Sequence, residues 1–97
     1  MARKIIWLPK AEQRYDEIID WLENNWTHKE IINFISRTEY VLDLISINPD
    51  IYQHSEKRNI RQALITKHNL LLYRKKGTKI ELITFFDTRQ KPSKKFK

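Results

Sequence analysis

The stretch from Asn69 to Pro92, NLLLYRKKGTKIELITFFDTRQKP, limits what this chain can fold into more than any other. Leu70 to Arg74 is an apolar run with an aromatic end, and Ile80 to Phe86 is rich in β-branched and aromatic residues. Lys75, Lys76, Gly77 and Thr78 lie between them, with the chain's single glycine where a tight turn needs positive φ. The pattern predicts two antiparallel strands joined by a hairpin turn. After Phe86 the sequence becomes polar through Asp87, Thr88, Arg89, Gln90 and Lys91 before Pro92. A carboxylate and an arginine at a strand end suit either a structural pair, the reading favoured from the residues alone, or recognition of a phosphate.

The preceding residues supply the partners such a hairpin needs. Arg3 to Trp7 reads as a short strand, and Pro9 is well placed to open a helix because its missing N–H is not needed in the first turn. Ala11, Tyr15, Ile18, Ile19, Leu22 and Trp26 then recur at helical spacing, with an acidic opposite face of Glu12, Asp16, Glu17, Asp20 and Glu23. Asn24-Asn25 is a stop. Thr27 with Glu30 has the spacing of a capping box for a second helix. That helix carries Ile31, Phe34, Ile35, Thr38, Val41, Leu42 and Ile45 on one stripe and ends near Asn48-Pro49. A polar loop follows with Ile51 and Tyr52 as anchors, and Asn59 to Ile65 reads as a strand with Arg61, Ala63 and Ile65 on one face.

The predicted order is therefore β-α-α-β-β-β, an α+β domain in which an antiparallel sheet carries a two-helix hairpin on one face. Residues 1–97 read as one domain, with 93–97 a mobile basic tail. A chain 40% hydrophobic is too apolar and too patterned for disorder. It has no cysteine, which removes disulfides and thiolate metal sites and suits a cytoplasmic setting. The early apolar run Ile5 to Leu8 is too short for a membrane span.

Charge is unevenly placed. Residues 1–56 hold 6 Lys/Arg against 10 Asp/Glu, whereas residues 57–97 hold 13 against 2, within a net charge of +7. The basic half points to a polyanion or to an acidic partner that mimics one. There is no Gly-rich phosphate loop, nucleophile elbow or metal-ligand spacing, so neither metal nor cofactor is expected. His28 and His54 read as surface residues. His68, beside the basic hairpin, retains a role in binding or proton transfer. What remains is a set of cations and one aromatic near the sheet, Arg61, Lys67, Tyr73, Arg74, Arg89 and Lys91, able to hold a phosphodiester and to stabilise charge developing on it. An RNase of that kind needs no metal, because the RNA 2′-hydroxyl is the nucleophile.

Three segments carry a resemblance. IIWLPKAEQRYDEIIDWL enters a helix through a strand, a proline and an alanine. NPDIYQ leads into the arginine-bearing NIRQALIT and then LLLYR. TFFDTRQKP closes the last strand with an arginine before a proline. Together they resemble the RelE/ParE superfamily of small bacterial toxins from type II toxin–antitoxin modules. That resemblance implies the fold read above, a cognate antitoxin as partner, and no membrane or small-molecule substrate. RelE-like members cut mRNA in the ribosomal A site with lysines, arginines and a C-terminal tyrosine or histidine, whereas ParE-like members act on DNA gyrase. By analogy Arg61, Arg89, Asp87, Lys67 and Tyr73 become candidate catalytic residues, and Arg74, Lys91 and His68 candidate target-binding residues. Leu70 stands where the nucleases have an arginine, Asp87 where many have histidine, and the tail offers Phe96 and no tyrosine. The density of cations favours a ribosome-dependent endoribonuclease. A gyrase inhibitor and an inactive nucleic-acid-binding relic are the alternatives.

Overall fold

The computed structural model describes residues 2–54 and 59–87. The tail at 93–97 and the candidates Arg89 and Lys91 lie outside them. Six elements follow the predicted order: β1 (Lys4–Trp7), α1 (Pro9–Asn25), α2 (His28–Ile47), β2 (Arg61–Thr66), β3 (Asn69–Lys76) and β4 (Lys79–Asp87). The strands form one sheet in the order β1-β4-β3-β2. The C-terminal three make the antiparallel meander. The sheet is mixed, however, because β1 pairs parallel to β4, with Ile5 opposite Ile80 and Trp7 opposite Leu82. The long α1–α2 crossover allows this, since a parallel neighbour needs a connection far longer than a hairpin turn.

The hairpin turn is tight. Lys76 pairs with Lys79, leaving Gly77 and Thr78 as a two-residue loop. Gly77 has φ +62 and Thr78 does not share its sign, the φ pattern of a type II′ turn, which matches the twist of the flanking strands. Asn59 is the other residue at positive φ, +61, and β2 begins two residues later, at Arg61. Asparagine tolerates that conformation better than most side chains.

Pro9 occupies the first turn of α1, as its fixed φ favours. Thr27 sits at the N-cap of α2, but its side chain makes no capping hydrogen bond. The Glu30 N–H is instead satisfied by the Thr27 backbone carbonyl at 3.0 Å, so the capping-box reading does not hold. Of the loop anchors, Tyr52 packs against the core while Ile51 is exposed. Trp26, assigned to the buried stripe of α1, is also exposed.

The helices cover one sheet face. Phe34, Val41 and Ile45 from α2 meet Ala63 and Ile65 from β2, Leu71 and Tyr73 from β3, and Ile80, Leu82 and Phe85 from β4, all essentially inaccessible. Burying each large apolar side chain contributes about 1.5–3 kcal/mol relative to exposure. Trp7, Tyr15, Phe34 and Phe85 form an aromatic cluster with ring centroids 5.1 to 6.1 Å apart, joining β1, α1, α2 and β4. Offset and edge-on contacts of this kind add to the area term.

One irregularity decides what faces the helices at the far end of β4. Leu72 pairs with Thr84 but Tyr73 pairs with Leu82, so Ile83 is an extra residue in β4. A bulge reverses the alternation beyond it. Phe85 thus joins Ile80 and Leu82 on the helix side, and Phe86 pairs with Leu70 on the face turned away from the helices.

Candidate functional site

Two arrangements gather the chemistry-bearing side chains, and they sit at different places on the sheet. The first is an open groove of about 1060 Å³ between the helix hairpin, the β2–β3 turn and the end of β4. Its apolar surface comes from Ile18 and Leu22 of α1, Phe34 of α2, and Ile65 and Phe85 of the sheet. Trp21 and Trp26, 43% and 54% exposed, form part of its wall with ring centroids 6.3 Å apart. The groove exists because α1 buries only Ala11 completely, leaving Tyr15, Ile18, Ile19 and Leu22 half covered.

Charge lies around this apolar surface. Lys10 and Arg14 of α1, Arg37 of α2 and Lys67 of the turn line the groove together with Glu17, Glu30 and Asp87. Arg14 donates to Glu17 at 2.6 Å; that bond and a second from Gln13 hold the Glu17 carboxyl below its ordinary range. Arg37 is anchored by a bond from Nε to the Ile65 carbonyl at 3.0 Å, with its guanidinium 5.2 Å from the Tyr40 ring. His68 is set by local turn chemistry: the Thr66 hydroxyl donates to Asn69 Oδ1 at 2.8 Å, and the His68 N–H approaches Thr66 Oγ1 at 3.3 Å.

The second arrangement is a latch on the loop after α2. Tyr73, fully buried, donates its phenolic hydrogen to the Pro49 carbonyl at 2.7 Å. Arg61, opposite Tyr73 in the sheet, donates from Nη1 to the Tyr52 carbonyl at 2.6 Å and pairs through Nη2 with Asp50 at 3.2 Å. Lys75 also reaches Asp50, at 3.3 Å. Burial pushes the Tyr73 phenol up to about 12, against the opposing pull of the Arg61 charge. A phenol so placed is protonated at neutral pH and already spends its hydrogen on the fold.

The sequence candidates therefore divide. Lys67, His68 and Asp87 come together along the groove. Arg61 and Tyr73 belong to the latch. Arg74 lies on the open face of the sheet, where its Nε meets Glu81 Oε1 at 2.7 Å. Tyr73 is four residues along β3 from Asn69, about 13 Å of extended chain, so latch and groove cannot serve one reacting atom. Sequence reasoning missed Trp21, Arg37, Lys10 and Arg14. A usable signal was present at 21 and 26, tryptophans within and just past the last turns of a helix whose stripe already had enough apolar residues. Among the described residues no group of three His, Asp or Glu side chains converges in a way that would hold a metal ion, and no helix is long and apolar enough to cross a membrane.

Residues 5–92 match the family model for the ParE toxin of the type II toxin–antitoxin system parDE. The chain belongs to this toxin family. It is a RelE/ParE-superfamily toxin of a type II toxin–antitoxin system. Among solved structures, a chain of the chromosomal ParDE system from P. aeruginosa is similar with a TM-score of 0.75 at 16% identity, covering 89% of this chain and 96% of that one. The YoeB dimer from Staphylococcus aureus gives 0.63 at 15% identity, over 89% and 97%. The E. coli DinJ–YafQ toxin–antitoxin complex gives 0.62 at 10% identity, over 92% and 96%. At these identities the likeness carries the fold and not the chemistry. No curated sequence matches.

Proposed function

We propose that this ParE-family toxin arrests growth by engaging DNA gyrase rather than by cutting RNA, and that a cognate antitoxin holds it inactive. The observation that carries this reading is the latch. The phenol of Tyr73 on β3, a candidate catalytic group in the sequence, donates to the Pro49 carbonyl and is pushed up to about 12 by burial. Its neighbour Arg61 is committed to Tyr52 and Asp50. A general acid or base must reach the reacting proton and titrate near the working pH; Tyr73 meets neither condition. The groove, with tryptophans beside an apolar surface and charges of both signs, has the character of a protein-docking surface. It suits an amphipathic antitoxin segment read at helical spacing.

A second reading has its own support. Lys67, His68 and Asp87 share the groove, so a nuclease built on the turn and the end of β4 is the alternative. Expressing the chain without its antitoxin separates the two. The gyrase reading expects DNA breaks and lost supercoiling while translation continues. Transcripts cut within codons, together with intact supercoiling, would overturn it.

A further inference from the structure

At the end of the sheet away from the groove, the parallel pairing of β1 produces a juxtaposition that depends on topology. Lys4 is the register partner of Lys79, and Lys79 is the partner of Lys76. Three lysines thus stand side by side across three strands, all exposed. Register partners share a face, and the neighbouring Ile5, Ile80 and Lys75 point to the helix side, so the three lie on the face turned away from the helices. Like charges directly opposite one another destabilise a sheet. Among the described residues no carboxylate is paired with them. Glu81 is held by Arg74, and Asp50 by Arg61 and Lys75. Among the described residues none of the three ammonium groups has an ion pair or hydrogen bond.

From this row we propose that Lys4, Lys76 and Lys79 form a phosphodiester-binding site, contacting the backbone of a nucleic acid at the tip of the β3–β4 hairpin. Neighbouring strands lie about 4.8 Å apart, so the three Cα atoms span about 10 Å. Flexible lysine stems over that span can meet successive phosphates of one strand as point charges. The tight Gly77–Thr78 turn fixes the row, and a shallow recess lined by Lys76, Gly77, Thr78, Lys79 and Glu81 lies beside it. Lys79 and Asp87 are eight residues apart on β4, roughly 27 Å. A ligand here and a partner in the groove can therefore be bound together. The site stands on register and charge, and it holds whether the toxin's target is gyrase or RNA.

The test is the salt dependence of binding by the full chain to a short mixed-sequence DNA duplex and, in a second arm, to a single-stranded RNA. Lys4→Gln/Lys76→Gln/Lys79→Gln should lower the slope of log affinity against log salt by about 2.7 for the duplex or about 2.1 for the single strand. For the duplex those contacts amount to roughly a 40-fold change in affinity between about 50 and 200 mM salt. Loss in the first arm identifies duplex, and loss in the second a single strand. The variant's melting temperature should equal or exceed the parent's, because repulsion has been removed. A control with the same charge change, Lys94→Gln/Lys95→Gln/Lys97→Gln, should lose less. An unchanged slope in both arms, or equal losses for the two triple variants, would show that net charge and not this row is responsible, and would overturn the proposal.

Discussion

Replacing Tyr73 by Phe tests the latch and the functional reading with one oxygen atom. The ring remains in a fully buried position, so no large cavity opens. What is lost is the 2.7 Å bond to the Pro49 carbonyl, and Pro49 is itself buried. Leaving a buried acceptor unsatisfied costs about 1–3 kcal/mol. For a domain of this size each kcal/mol lowers the melting temperature by roughly 4–8 °C, so a fall of about 4–24 °C is expected by calorimetry or circular dichroism. A pH signature accompanies it. The folded phenol titrates near 12, and an unfolded one near its ordinary value of 10. The native state therefore holds the proton longer. Its contribution is complete below about pH 10 and is lost as pH rises toward 12, at no more than about 1.4 kcal/mol per unit. The Phe variant is the control for every other group: its stability should fall less steeply between about pH 10 and 12. Toxicity and antitoxin binding should survive at temperatures where the variant is folded. A variant that melts with the parent yet loses toxicity would refute the reasoning, because the phenol would then serve the target and not the fold.

Three further outcomes follow from the same geometry. Arg61→Ala removes a charge-assisted bond to the Tyr52 carbonyl and should cost about 1.5–3 kcal/mol in denaturant unfolding; combined with Tyr73→Phe it should cost less than the sum, because both hold one loop. Gly77→Ala should cost about 1–2 kcal/mol, from positive φ alone, since an added Cβ meets no atom within 4 Å; a thermal melt equal to the parent's would refute the turn assignment. Trp21→Ala should weaken antitoxin binding in calorimetric titration at least fivefold, about 1 kcal/mol, while moving the melting temperature little, because the side chain is 43% exposed; undiminished binding would place the antitoxin elsewhere.

Most of the architecture was legible in the chain because its signals are local. Helical spacing marked α1 and α2, Pro9 marked an entry, and the single glycine marked the hairpin. The misses have physical causes. The Thr27–Glu30 spacing matches a capping box, but spacing does not say where a hydroxyl points. Trp26 obeys the period of the α1 stripe yet lies past the end of the helix, beyond the surface that covers the stripe. Tyr73 and Arg61 read as site chemistry because a phenol and a guanidinium serve catalysis and loop anchoring equally well; only the position of the Pro49 and Tyr52 carbonyls separates the two roles.

Asp87 shows how small a structural detail can reassign a site. On strict alternation from Ile80 and Leu82, Thr84 and Phe86 would face the helices, and Phe85 and Asp87 would face away. Nothing in KIELITFFD marks an inserted residue, because β-branched and aromatic side chains occupy both phases of the strand. The bulge at Ile83 moves Phe85 into the aromatic cluster with Trp7, Tyr15 and Phe34. Two residues later the same shift directs Asp87 to the groove, where it joins Lys67 and His68. The packing of a phenylalanine therefore decides which face receives the carboxylate. Any function the groove performs through Asp87 depends on that one extra residue in β4.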